Sequence, residues 1–126
     1  MKGLEFVFLG IGSVIGAFIR YKITESPLIF NTLPLNVLIV NVIGAFILGL
    51  FIVISQQWNL DGKYSLFAAV GLCGSLTTMS SFALDSTNLL ENKHYLFLFV
   101  NIITNVGFSI AALLAGKSIM NAILTN

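Results

Sequence analysis

Charge is what this chain has least of. Six Lys or Arg and five Asp or Glu make up 9% of its 126 residues, where a soluble domain carries about 25%. A surface so poor in charge cannot be solvated by water, which excludes an ordinary soluble globule and leaves lipid as the expected solvent. The net charge of +1 excludes the basic face that nucleic-acid binding needs. The one cysteine, Cys73, excludes an intramolecular disulfide, and the one histidine, His94, leaves little material for a Cys/His metal cluster. The two prolines, Pro27 and Pro34, fall in or beside a single connector, where they break no helix interior. There is no linker and no low-complexity tract, so residues 1–126 read as one domain.

What is present is apolar. Hydrophobic residues make up 57% of the chain and the mean hydropathy is +0.99. About 20 such residues cross a bilayer as a helix, and four runs meet that length: about 4–21, 33–54, 64–90 and 95–116. Lys2 before the first run resembles the start of a signal peptide, but no small-residue cleavage site follows, so the run reads as a retained span. The connectors Lys22 to Thr32, Ser55 to Lys63 and Glu91 to His94 read as short and polar, with Trp58 and Tyr64 as interface anchors. The expected fold is all-α, in the plasma membrane.

Four spans place both termini and the second connector on one side. That side holds Lys2, Lys63 and Lys117; the other holds Arg20, Lys22 and Lys93. The positive-inside rule therefore has nothing to act on. The bland reading is too few charges to judge. The sharper one, favoured here, is dual topology, with copies inserted both ways and paired antiparallel.

Close helix packing is expected at Gly12 and Gly16 in span 1 and at Ala45 and Gly49 in span 2, since small residues let backbones approach. Arg20 continues the Gly12–Gly16 stripe, either as a snorkelling anchor or as a cation at the packed face. Asn41 shares a face with Ala45 and Gly49, and Asn101, Asn105 and Ser109 share a face of span 4. Such buried polar groups serve as interhelical glue or line a polar pathway. Span 3, at 27 residues, would measure roughly 40 Å as a straight helix against a hydrocarbon core of about 30 Å. It also contains Gly71-Leu72-Cys73-Gly74-Ser75-Leu76-Thr77-Thr78-Met79-Ser80-Ser81-Phe82. Two glycines there weaken a helix, and five hydroxyls in seven residues satisfy backbone groups freed by a break. Freed carbonyls suit a small hard cation, and hydroxyls and amides supply donors to an anion. No carboxylate pair, Ser-His-Asp set or metal cluster accompanies them, so an enzyme is not expected.

This segment resembles the signature of the CrcB/Fluc fluoride channels, G-x-C-G-G-x-[ST]-T-F-S-[ST]-F. Gly12 to Tyr21 resembles the family's first-helix G-x-x-G-A-x-x-R-[YW], and Val40-Asn41 with Gly44 its second-helix V-N-x-x-G. The resemblance covers the whole chain. It implies four helices with a broken third, assembled as an antiparallel, dual-topology homodimer that passively exports fluoride through two pores, with a central structural sodium ion. By motif position the sodium would be held by the carbonyls of Gly74 and Thr77, and the pore lined by Asn41, Met79, Ser80, Ser81, Phe82, Asn105 and Ser109. Arg20 and Asp85 would have structural or electrostatic roles, Asp85 standing where the family has a glutamate. The family's paired phenylalanines appear here as Met79 and Phe82. Met79 leaves open a subunit of a paired heterodimer, while the charge balance points to a homodimer. A small multidrug-type exporter is the other four-span reading. It needs a carboxylate in mid-span 1, but Glu5 lies at the very start of that span.

Overall fold

In a membrane every backbone polar group must be satisfied within its own segment, and long apolar runs therefore fold as helices. The computed structural model describes residues 2–125. In it α1 spans Lys2–Thr24 and α2 spans Asn36–Trp58. The third span is composite: α3 (Gly62–Ser65), a π-helical stretch (Leu66–Cys73), α4 (Gly74–Leu76) and then α5 (Ser80–Glu91). The last helix, α6, spans Tyr95–Thr125. Four segments, Lys2–Thr24, Asn36–Trp58, Gly62–Glu91 and Tyr95–Thr125, are long and apolar enough to cross a bilayer. The chain is a multi-pass membrane protein.

The ends differ from the expected spans in two places. Leu33 and Pro34 lie outside α2. They form strand β2 (Leu33–Pro34), antiparallel to β1 (Ile29–Phe30), with Asn31 at φ 59° in the turn. The Asn36 side chain ties this hairpin down: its Oδ1 accepts from Leu28 N at 2.8 Å, and its Nδ2 donates to Ile23 O at 2.9 Å and Ser26 O at 3.0 Å. The first connector is thus a hairpin with Leu28, Ile29 and Phe30 exposed, where a polar loop is expected. At the other end, α6 continues past Gly116 to Thr125 because nothing from Lys117 onward breaks a helix.

Gly116 is a packing residue and not a helix stop. A Cβ there would meet the backbone of Phe46, Leu50 at 3.1 Å and Gly49 at 3.3 Å, and one at Gly49 would strike the carbonyl of Leu113. This glycine pair seats α2 on α6. A second seam seats α1 on the π-helical stretch. Gly12 lies against the Phe67 carbonyl and Gly16 against that of Leu72, while a Cβ on Gly71 would stand 2.9 Å from Leu9 O and 3.0 Å from Ser13 N. Among the described residues no glycine has positive φ; Asn31, Asn59 and Lys93 take the left-handed turns instead. The glycines that pack therefore serve backbone contact and not chain reversal. Phe8 closes the outer end of the α1 seam, edge-on to Tyr64 at 5.8 Å and Phe67 at 6.5 Å, with the Lys63 ammonium over Phe8 and Tyr64.

Candidate functional site

The helix of the third span stops at Leu76. Thr77 is extended, with φ −82° and ψ 159°, and both its N–H and its Oγ1 donate to Cys73 O, at 3.1 and 3.0 Å. Its methyl group occupies the space left by the missing side chain of Gly44, which explains the small residue three positions after Asn41. Thr78 restarts the chain: its Oγ1 accepts from Ser81 N at 3.2 Å, the geometry of a helix N-cap, and lies 3.2 Å from Ser80 Oγ. On the side toward α1, Arg20 Nε donates to Ser75 O at 2.9 Å. The carbonyls of Gly74 and Thr77 accept no hydrogen bond from the described residues.

From Thr78 a chain of side-chain amides crosses the protein. Thr78 N donates to Asn41 Oδ1 at 2.8 Å. Asn41 Nδ2 donates to Asn105 Oδ1 at 3.0 Å and, over a longer 3.4 Å, to Thr78 O. Asn105 Nδ2 donates to Asn101 O and Asn101 Oδ1, each at 3.0 Å, and Asn101 Nδ2 donates to Ser86 Oγ at 3.0 Å. The direction of this chain is set by two backbone groups. The Thr78 N–H can only donate, so Asn41 must turn its oxygen to it. The Asn101 carbonyl can only accept, so Asn105 must turn its nitrogen to that. Asn101 and Asn105 are buried, at 2% and 5% exposure, and their mutual satisfaction removes the cost of burying them.

Beside the break lies an open cleft of about 430 Å³. Asn41, Gly74, Thr77, Met79, Phe82, Asn105 and Ser109 all line it. The structure thus gathers from three spans, the second, third and fourth, most of the residues that the sequence singles out. Ser80 and Ser81 are outside it, Ser80 exposed and Ser81 half-buried at the first turn of α5. Asp85 is half-buried one turn beyond Phe82 and does not line the cleft, and Arg20 acts on the opposite flank through Ser75. Met79 is 73% exposed, standing out from the chain at the mouth.

Two features of the site escape sequence reasoning. Ser86 is one hydroxyl among many on α5, and only its meeting with Asn101 marks it. The π-helical stretch has no composition of its own; its widened turn accompanies the close approach of Gly71 to α1. The part of Thr78 is legible in sequence, since a threonine before a helix restart is a capping signal.

Comparison with known proteins bears on this site directly. Residues 7–117 match the family model described as CrcB-like protein, Camphor Resistance (CrcB). A protein of Nitrosopumilus maritimus named fluoride-specific ion channel FluC is 79% identical over 126 residues, the whole of both chains. Proteins of the same name from Methanococcus vannielii and a Sulfurihydrogenibium species are 35% and 37% identical, over 94% and 89% of this chain and 97% and 93% of their own. The matched region runs from α1 into α6 and takes in every residue of the cleft and of the amide chain, and the chain belongs to the CrcB family.

Proposed function

We propose that this protein is a fluoride-selective channel, not an enzyme, and that it lowers cytoplasmic fluoride by passive export. The observation that carries the reading is the cleft itself, where an interrupted third span meets the polar faces of α2 and α6. The full-length likeness to proteins named fluoride-specific ion channels supports it.

Fluoride is small and strongly hydrated, and a pore must replace its water with close donors. Asn105 spends both N–H groups on Asn101, so its part is to hold Asn41 in place. Asn41 keeps one N–H on a long bond to the Thr78 carbonyl. That is the donor most easily released to a passing anion. Ser109 lines the same cleft outside the amide chain, as does Phe82, whose ring edge is weakly electropositive. Thr78 and Ser80 carry the hydroxyl track outward from the break.

The finer assembly belongs to the same proposal. Two copies pair antiparallel, each closing the other's open cleft, with Gly74 and Met79 at the shared face; both are exposed on the single chain. Gly74 and Thr77 line the cleft, and their carbonyls, which accept no hydrogen bond from the described residues, suit a sodium ion, a hard cation that takes oxygen ligands. When bound, it supplies positive charge where an anion leaves water.

The test is fluoride efflux from liposomes holding the pure protein. The expected outcome is rapid fluoride release with chloride retained. Chloride passing as fast as fluoride would defeat the selectivity claim.

A further inference from the structure

The amide chain begins and ends on the same piece of backbone. It leaves from Thr78, crosses α2 at Asn41 and α6 at Asn105 and Asn101, and returns to Ser86. Between these two attachment points lie Met79 and Phe82, which line the cleft, and Ser80 of the hydroxyl track. No residue of this stretch is buried. Beyond Ser86, Leu89 is buried and the turn into α6 holds the far end of α5, with His94 N donating to Leu89 O at 2.9 Å. A rod held only at its ends can bow; a tie between them fixes the line of its first half. The points are eight residues apart, about 12 Å along a helix. The near attachment is strong, since Thr78 N donates to Asn41 at 2.8 Å. The far one is the single Asn101–Ser86 bond at 3.0 Å.

We infer that the Asn101–Ser86 hydrogen bond is a positioning anchor that sets the tilt of α5 and thereby the fit of the pore to its anion. The inference rests on the proposed fluoride channel and names a specificity-determining pair within it. Neither residue lines the cleft, so both act through α5 and not by touching the ion. Asn101 is buried and its amide direction is imposed from the Asn105 side, so its nitrogen is always presented to Ser86. Loss of the anchor leaves the Thr78 end and the turn into α6 in place and lets the first half of α5 shift between them. A passage that no longer holds its width loses discrimination by size before it loses throughput.

The experiment compares wild type with Ser86→Ala, Ser86→Thr and Asn101→Val in liposomes, measuring fluoride and chloride efflux. Ser86→Ala is expected to lower the fluoride-to-chloride rate ratio by about 3- to 10-fold, the range of one hydrogen bond; Asn101→Val, which also removes an acceptor of Asn105, is expected to lower it at least as far. Ser86→Thr keeps the accepting oxygen and is expected to retain the ratio. Variants that elute and melt like wild type with an unchanged ratio overturn the anchor. So does a ratio that falls equally in Ser86→Thr. If wild type passes no fluoride, the channel reading fails separately. The anchor is then read by amide hydrogen exchange over Ala83–Glu91, expected to be about 3- to 10-fold faster in Ser86→Ala; equal exchange overturns it.

Discussion

Asn41 uses both of its polar atoms: its oxygen holds a backbone N–H, and its nitrogen serves Asn105 and, over the longer bond, the Thr78 carbonyl. Replacement by Ala leaves the Thr78 N–H and the Asn105 oxygen without partners in a low-dielectric site. The expected loss is about 1–3 kcal/mol of stability, read as a lowered melting temperature in detergent, together with a fall in fluoride efflux of about tenfold or more. Asn41→Asp separates the two effects. It still accepts from Thr78 but cannot donate to Asn105, so efflux is expected to fall even where the fold survives. Arg20 is tested by Arg20→Met, which keeps the apolar stem and removes the donor to Ser75. A melting temperature lowered with the fluoride-to-chloride ratio intact would mark it as a structural tie.

At the scale of elements, the two glycine seams and the cap on α5 carry the expectations. Gly16→Ala drives a methyl group into the Leu72 carbonyl, and backbone gives way less easily than a side chain. A cost of about 1–3 kcal/mol is expected, seen as poor recovery of monodisperse protein. Thr78→Val removes the cap of α5 and is expected to cost about 1 kcal/mol, with Thr78→Ser neutral by the same melting assay. These elements also show what the sequence discloses. The four spans are legible because lipid leaves no other way to satisfy the backbone. Asn41, Asn105 and Ser109 are legible because a polar residue in an apolar run needs a partner, and helical spacing shows its direction. The hairpin at Ile29–Phe30 is not, because its hold on the fold comes from Asn36, whose amide reads as an ordinary polar residue at a span end. Nor is the bond from Asn101 to Ser86, since the register between α5 and α6 depends on the left-handed turn at Lys93.

For the molecule as a whole, the balanced basic residues motivate a direct measurement. A cysteine at Asn59, in the α2–α3 turn, on a Cys73→Ala background, is expected to be labelled by an impermeant maleimide in about half the copies from each side of the membrane. Labelling from one side alone would defeat dual topology. Gly10 adds a complementary probe, because a Cβ there meets nothing within 4 Å in the single chain. Gly10→Ala is expected to leave the isolated chain undisturbed, so loss of the assembled form alone would place Gly10 at the face between copies. The glycine seams of α1 and α2 carry one more consequence, for heat capacity. Forming them exchanges lipid contact for protein contact and takes almost no apolar surface out of water. The heat-capacity change on dissociating these helices in mixed micelles should therefore fall well below the roughly 12–15 cal/mol/K per residue of soluble domains. The stability curve should accordingly be nearly flat, without a cold-unfolding limb, and calorimetry of the pure protein would show it.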